Sequence, residues 1–198
     1  MPMEPDMLCL DGPRVALRIG EPTDAAALVR FYRDNDDFFA RTQNRARPEM
    51  LEPVSMQRLL ALRKADFDAG RACHFVAFSR EAPREVLAVA NFTAIVRGYF
   101  QACYLGYAVA EKMEGQGIMR EVLELGLGFV FGPLGLHRVM ANYMPENKRS
   151  GALLKRLGFR VEGYAERYLQ IHGEWRDHFM TALHAEDFRL ARARSRGA

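Results

Sequence analysis

Between residues 73 and 131 the chain runs through three period-two segments, a glycine turn and one long apolar helix, and this order restricts the fold more than any other feature. The alternating stretches 73–79, 86–96 and 101–109 are separated only by turn residues at Pro83 and Gly98, and three strands joined this closely must pair antiparallel. At 118–131 the residues Ile118, Met119, Val122, Leu123, Leu127 and Val130 form a wide apolar helix face. Gly126 and Gly128 lie within it; each costs about 1 kcal/mol relative to alanine, which predicts close packing on the sheet.

Before this block, Val15, Leu17 and Ile19 alternate as a first strand, and Thr23 is placed to cap a helix over 25–32. Residues 34–53 are polar and broken by Pro48 and Pro53, which predicts a long connection, with Ser55 capping a helix that ends at Gly70. After the block come a strand at 138–143, a helix starting near Asn147 and ending at Gly158, and extended segments 164–171 and 175–183 joined by a His172-Gly173 hairpin turn. The strand–helix–strand–helix run requires a crossover. The expected class is α+β, with a mixed, mostly antiparallel central sheet of about seven strands flanked by about four helices.

A chain of 198 residues fits a single domain, with a core at about 15–185 and a basic C-terminal tail at 189–198 that carries Arg189, Arg192, Arg194 and Arg196. That tail reads as a solvated, frayed end, and a formal net charge of +3 does not by itself imply nucleic-acid binding. The longest uncharged stretch, 125–136, is too short to span a bilayer, and Glu4 and Asp6 do not fit a secretory leader. Cys9, Cys73 and Cys103 form no CxxC pair, and His137, His172 and His178 have no metal-ligand spacing; the expectation is a cytoplasmic protein with reduced thiols and no metal.

Chemistry enters at Gly115-Gln116-Gly117. A turn that ends a strand and opens a helix presents unpaired N–H groups and the positive end of the helix dipole, which suit a phosphate or pyrophosphate; a tight turn with one positive φ is the plain alternative. Arg120 occupies the place where a dinucleotide fingerprint needs a small residue, and no Gly-Lys-Ser/Thr triplet is present for a P-loop.

The segment from Lys112 to Gly117 resembles the Q/R-x-x-G-x-G/A signature of the GNAT acetyltransferase superfamily, with Lys112 in place of Gln or Arg. Asn147 with Ser150 and Leu157-Gly158-Phe159 resemble that family's Asn-x-x-Ser and Leu-Gly-Phe landmarks. Ala90-Asn91-Phe92, the run from Ala102 to Tyr107, the run from Met140 to Pro145 and Trp175-Arg176-Asp177-His178 narrow the resemblance to the RimJ type, which acetylates N-terminal alanine of a ribosomal protein. The resemblance implies a GNAT fold, acetyl-CoA as donor, and a cofactor site made by Tyr107, Ala108, Val109, Lys112, Glu114, Gly115, Gln116, Gly117, Ile118, Met119, Asn147 and Ser150.

Amine acetylation needs a bound thioester, a neutral amine, stabilisation of the oxyanion and a proton for the thiolate. Gly106 within a strand suggests either a bulge or a packing glycine; a bulge would splay the strand from 138–143 and free backbone groups of residues 107–109. The resemblance implies that the pantetheine arm fills this gap, with the Val109 N–H near the acetyl oxygen. It also makes Ser150 the candidate for contacting or protonating the thiolate, because Leu154 stands where many GNAT enzymes place a tyrosine acid. By the same resemblance, Asn142 falls at a strand position where related enzymes can carry a glutamate base, and Tyr104 occupies another, so Asn142 is expected to order a proton-carrying water.

An α-amine with a pKa of about 7.7–8 is neutral to roughly a tenth or more at pH 7, against about four parts in ten thousand for lysine, and this favours an N-terminal acceptor. Phe38, Tyr104, Tyr143 and Trp175 are candidates for the substrate cleft, with Trp175 equally a hairpin packing residue. Lys148 and Arg149 could reach phosphates or simply face solvent, and Asp34, Asp36 and Asp37 could attract a basic protein substrate. Expected partners are acetyl-CoA and a ribosomal-protein N-terminus, with a possible weak ribosome contact. A small-molecule or antibiotic amine, or a non-catalytic acyl-CoA-binding or ribosome-assembly role, are the alternatives.

Overall fold

The computed structural model describes residues 8–196, with side chains described to residue 193. The reading of Glu4 and Asp6, and the side chains of Arg194 and Arg196, lie outside these residues. Eight strands, β1 (Cys9–Asp11), β2 (Val15–Ile19), β3 (Cys73–Ser79), β4 (Val86–Val96), β5 (Ala102–Val109), β6 (Arg138–Met140), β7 (Arg160–Ile171) and β8 (Glu174–His184), form one sheet in the order β1-β2-β3-β4-β5-β6-β8-β7. Only β5 and β6 pair parallel; the other pairs are antiparallel. The helices are α1 (Ala25–Asp34), α2 (Asp36–Phe39), α3 (Pro53–Asp68), α4 (Ile118–Phe131), α5 (Lys148–Arg156) and α6 (Ala185–Arg196).

The sheet separates two packing layers. On one face Phe75, Phe92, Cys103, Leu105, Val139 and Leu183 meet α4, together with Leu154 of α5 and Phe188 of α6. On the other, Val76, Phe78 and Val89 meet Leu28 and Phe31 of α1 and Met56 and Leu60 of α3. Side chains alternate along a strand, so the two faces of β5 serve different layers, and this alternation later divides the site. The close-packing expectation holds for Gly126, where an added Cβ would lie 2.9 Å from the Phe92 ring; at Gly128 the neighbour is Arg192 of α6, also at 2.9 Å, and not the sheet.

Several local expectations change. β1 is only three residues long, too short to show a period. Thr23 does not cap α1: a 3-10 turn at Pro22–Asp24 precedes it, where Asp24 accepts the Glu21 N–H and a bidentate pair from Arg18 at 2.7 and 2.8 Å. Ser55 does not cap α3, which starts at Pro53, a residue whose fixed φ suits the first helical position. The connection from residue 34 to 53 holds α2 and a 3-10 turn at Pro48–Leu51.

The C-terminal tail, expected to fray, is helical through Arg196 and docks: Phe188 is buried with its ring 5.4 Å from Phe131, and Arg189 donates to the Phe131 carbonyl at 3.0 Å. Phe188 is the large side chain of α6 that anchors it, with Ala185 buried at its start and Leu190 left exposed. No helix among the described residues is long and apolar enough to cross a membrane.

Candidate functional site

The glycine turn takes the form its sequence demands. Gly115 and Gly117 have φ of 74° and 80°, in the left-handed region that disfavours a side chain, and Gly117 is the N-cap of α4 without a side-chain cap. The first backbone bond into the helix runs from Glu121 to Gly117; among the described residues the N–H groups of Gly117, Ile118, Met119 and Arg120 have no protein acceptor. These N–H groups and the helix dipole make an anion cradle.

A residue that sequence reasoning missed holds this cradle in place. Arg14, just before β2, donates to the Gln116 carbonyl at 2.7 Å and to Glu121 at 2.8 Å, while the Arg14 backbone N–H reaches the same carboxylate at 2.8 Å. The Gln116 carbonyl is thus occupied, and the Gln116 side-chain amide donates to the Lys112 carbonyl at 2.7 Å. Nothing in the local sequence pairs positions separated by more than a hundred residues. Lys112 itself pairs with Glu85, and Arg149 of α5 pairs with Glu114.

The gap beside β5 exists, but not through a bulge at Gly106. Register with β4 runs unbroken through Asn91↔Gly106, and an added Cβ at Gly106 would meet nothing within 4 Å, so it is not a packing glycine either. The strands part because β6 pairs with β5 only from Ala102 to Tyr104. Ala110 donates to Leu87 of β4, so by alternation Ala108 also spends its backbone groups on β4, whereas Tyr107 and Val109 turn theirs to the open edge. Of the three residues expected to lend backbone groups to the cofactor, Ala108 is therefore the one that cannot.

On the α4/α5 face of this gap, Asn147 caps α5 by accepting the Ser150 N–H at 3.1 Å, and Ser150 Oγ lies 2.7 Å from Tyr107 Oη. Burial pushes the Tyr107 phenol up to about 12, with the Ser150 hydrogen bond opposing and Tyr143 adding to the rise. Tyr143 packs here as well, its ring 5.4 Å from Phe179 and so close to Gly151 that an added Cβ would lie 2.7 Å away. Tyr143 is therefore on the α5 side of the sheet and not with the other substrate candidates.

On the opposite face stand Tyr104 and Asn142 with Tyr168, a second missed residue. Asn142 donates to Tyr168 Oη at 3.1 Å and accepts the Thr181 N–H at 3.3 Å, and the Tyr168 ring lies 5.4 Å from His178. Burial, then the Tyr168 hydroxyl, raises the Tyr104 phenol above its ordinary value. Tyr168 arrives through an irregular stretch of β7 between Ala165 and Leu169, where Arg167 has φ 51°; the plain alternation of 164–171 hid it.

The 34–53 connection bridges the opening. At one end Asn35 accepts the Glu111 N–H at 2.7 Å beside the end of β5; at the other, Asn44 donates to the Gln170 carbonyl at 2.9 Å and accepts the His172 N–H at 2.7 Å at the β7–β8 turn. His172 also bonds the Ala40 carbonyl at 2.9 Å. Phe38 lies on this segment, its ring tilted against Phe39 at 5.8 Å, while Trp175 stands 60 % exposed beside the hairpin turn. Asp36 and Asp37 both pair with Arg45, which removes much of the field they would offer a basic substrate.

A hollow of about 830 Å³ lies behind Lys112, between α1 and the β3–β4 turn, and is lined by residues including Arg30, Asp34, Pro83 and Glu85. Its Lys112–Glu85 rim is internally paired, and it reaches the end of β5 through Asn35, Ala110, Glu111 and Lys112. No group of three or more metal-ligating side chains occurs among the described residues.

Comparison with known proteins agrees with this geometry. Residues 14–160 match the family model for the acetyltransferase (GNAT) domain. The chain is 41% identical over 175 residues to the [ribosomal protein uS5]-alanine N-acetyltransferase of Escherichia coli, covering 88% of this chain and 90% of that one. Among solved structures, a ribosomal-protein-S5-alanine acetyltransferase from Vibrio fischeri superposes with a TM-score of 0.86 at 26% identity, covering 91% of this chain and 98% of that chain. RimJ from Mycobacterium smegmatis, in complex with CoA-disulfide, superposes at 0.82 with 29% identity over 94% of this chain and 92% of that chain.

Proposed function

Because the chain belongs to the GNAT acetyltransferase family and is an acetyl-CoA-dependent N-acetyltransferase, we propose that its acceptor is the N-terminal α-amine of alanine on a ribosomal protein of the uS5 kind. The observation that carries this reading is the make-up of the acceptor side. Tyr104, Tyr168 and Asn142 offer two phenols and an amide, and no carboxylate is hydrogen-bonded to them among the described residues. A neutral cluster of this kind suits an amine that is already partly deprotonated near pH 7 and gives little help to a lysine. The bridge made by Asn44 supports the same reading, since a cleft roofed from β5 to the hairpin accepts a free chain end more readily than a side chain on a folded surface.

Each task then falls to particular residues. The N–H groups from Gly117 to Arg120 hold the pyrophosphate, and the open edge of Tyr107 and Val109 takes the pantetheine arm, with the Val109 N–H aimed at the acetyl oxygen. On the α5 side Ser150 faces the sulfur; on the other, Asn142 and the tyrosines orient the amine and a water that carries its proton. The amine nitrogen bonds to the acetyl carbon as the carbon–sulfur bond breaks, and the proton lost from nitrogen ends on the CoA thiol. Arg189 and Arg192 are turned onto Phe131 and Phe188, so a ribosome contact through α6 would be weak.

The deciding experiment supplies acetyl-CoA and dissociated ribosomal proteins and follows intact masses. One acetyl group on a single protein with an alanine N-terminus is expected, with release of an equal amount of CoA. Acetylation confined to small amines, or to internal lysines, would sink the proposal.

A further inference from the structure

Tyr107 and Ser150 come from β5 and α5, and their hydroxyls meet at 2.7 Å on the cofactor face of the gap. Geometry alone leaves open which one donates. Chemistry decides it. The Tyr107 ring packs against the core on the α4/α5 face, and Ser150 Oγ is the hydrogen-bond partner its hydroxyl has among the described residues. Of the two hydroxyls the phenol is far the more acidic, and so the better donor and the poorer acceptor, which places its proton on the serine oxygen. Burial holds the Tyr107 phenol neutral well beyond physiological pH. Ser150 is therefore an acceptor in this pair, and its own proton is left to point elsewhere. Its backbone is fixed as well, because the Ser150 N–H is tied to the Asn147 side chain at 3.1 Å.

We infer that Tyr107 is a positioning residue for the transfer step: by donating to Ser150 Oγ it commits the Ser150 hydroxyl to donate toward the sulfur of the departing CoA thiolate. The inference rests on the reading that Ser150 faces that sulfur. A hydroxyl that accepts one hydrogen bond becomes a better donor in the next, so Tyr107 both aims the Ser150 proton and strengthens its bond to the developing negative charge. Ser150 need not lose its proton; the one that finally rests on sulfur comes from the attacking amine, so the sum is amine plus acetyl thioester giving amide plus thiol. Tyr107 stays neutral throughout.

The test is a double-mutant cycle of Tyr107→Phe and Ser150→Ala, read as CoA release with an alanine-initiated peptide. Tyr107→Phe keeps the ring and its packing, and is expected to lower kcat about tenfold, a loss of one hydrogen bond, with KM for acetyl-CoA and the melting temperature unchanged. Ser150→Ala should lower kcat at least as much, and the double variant no further than Ser150→Ala alone. A tenfold loss from Tyr107→Phe that persists in the Ser150→Ala background would overturn the inference, as would an unchanged kcat. If the wild-type protein fails to acetylate the peptide, the acceptor assignment has failed and the cycle is read on slow acetyl-CoA hydrolysis, which needs the same thiolate departure; additivity there overturns the inference equally.

Discussion

The two sides of the β5–β6 gap are built by different means. The proposed cofactor side is made of backbone: six consecutive residues, two of them left-handed glycines, lead into a helix whose first N–H groups have no acceptor among the described residues. The proposed acceptor side is made of side chains contributed by β5, the stretch after β6, β7 and the roofing segment around Asn44. A backbone site depends on a few φ angles, and the side chain of Lys112 beside it is spent on Glu85. A side-chain site depends on register and long-range hydrogen bonds, so it can change specificity without disturbing the cofactor side.

The largest expected effect attacks the backbone site. Gly117→Val forces a β-branched residue to φ 80° at the N-cap of α4, and kcat/KM for acetyl-CoA is expected to fall about a hundredfold, measured by steady-state kinetics beside a thermal melt that shows the fold intact. An undiminished value would mean that the cradle does not hold the pyrophosphate. Next comes pH. If the acceptor is an α-amine without a carboxylate base, kcat/KM for an alanine peptide should rise about fifteenfold between pH 6.5 and 8.5 and then level off, following the neutral fraction of a group with pKa about 7.8; a continued rise toward pH 10 would point to a lysine acceptor.

Asn44→Ala cuts both bonds to the hairpin and should raise KM for the peptide about tenfold while leaving acetyl-CoA binding alone; faster amide exchange over residues 40–47 would accompany it. Equal damage to both substrates would show that the two sides are not independent. Tyr168→Phe, which removes the acceptor of the Asn142 amide, should lower kcat/KM for the peptide about fivefold. Smallest is Lys112→Ala: its pair with Glu85 is solvent-exposed, and less than a threefold change in KM for acetyl-CoA is expected. A larger loss would give that side chain a direct phosphate contact.

Local patterns made much of this molecule legible. Alternation gave the bounds of β3 and β4, the apolar stripe gave α4 from Ile118 to Phe131, and His172-Gly173, with φ of 51° and 81°, turns the hairpin where the dipeptide suggests. These are features in which neighbouring residues interact, so the chemistry of a short stretch is enough. The same holds for the anion cradle, whose glycines and first helical turn are contiguous, and for the crossover that makes β5 and β6 parallel. Asn147 as the cap of α5 belongs to this group too.

What tertiary structure decided were the meetings of remote residues. Arg14 on the Gln116 carbonyl, Tyr168 on Asn142, Asn44 on the hairpin and Tyr107 on Ser150 join positions 26 to 128 residues apart, and no window of sequence contains both partners. Tyr143 was separated from Tyr104 by the face of the sheet it occupies, and the tail helix was recovered from solvent by Phe188 finding Phe131. Periodicity and turn chemistry record what a residue does with its neighbours along the chain; register, strand divergence and the side of the sheet on which a ring lands emerge only when the whole sheet has closed.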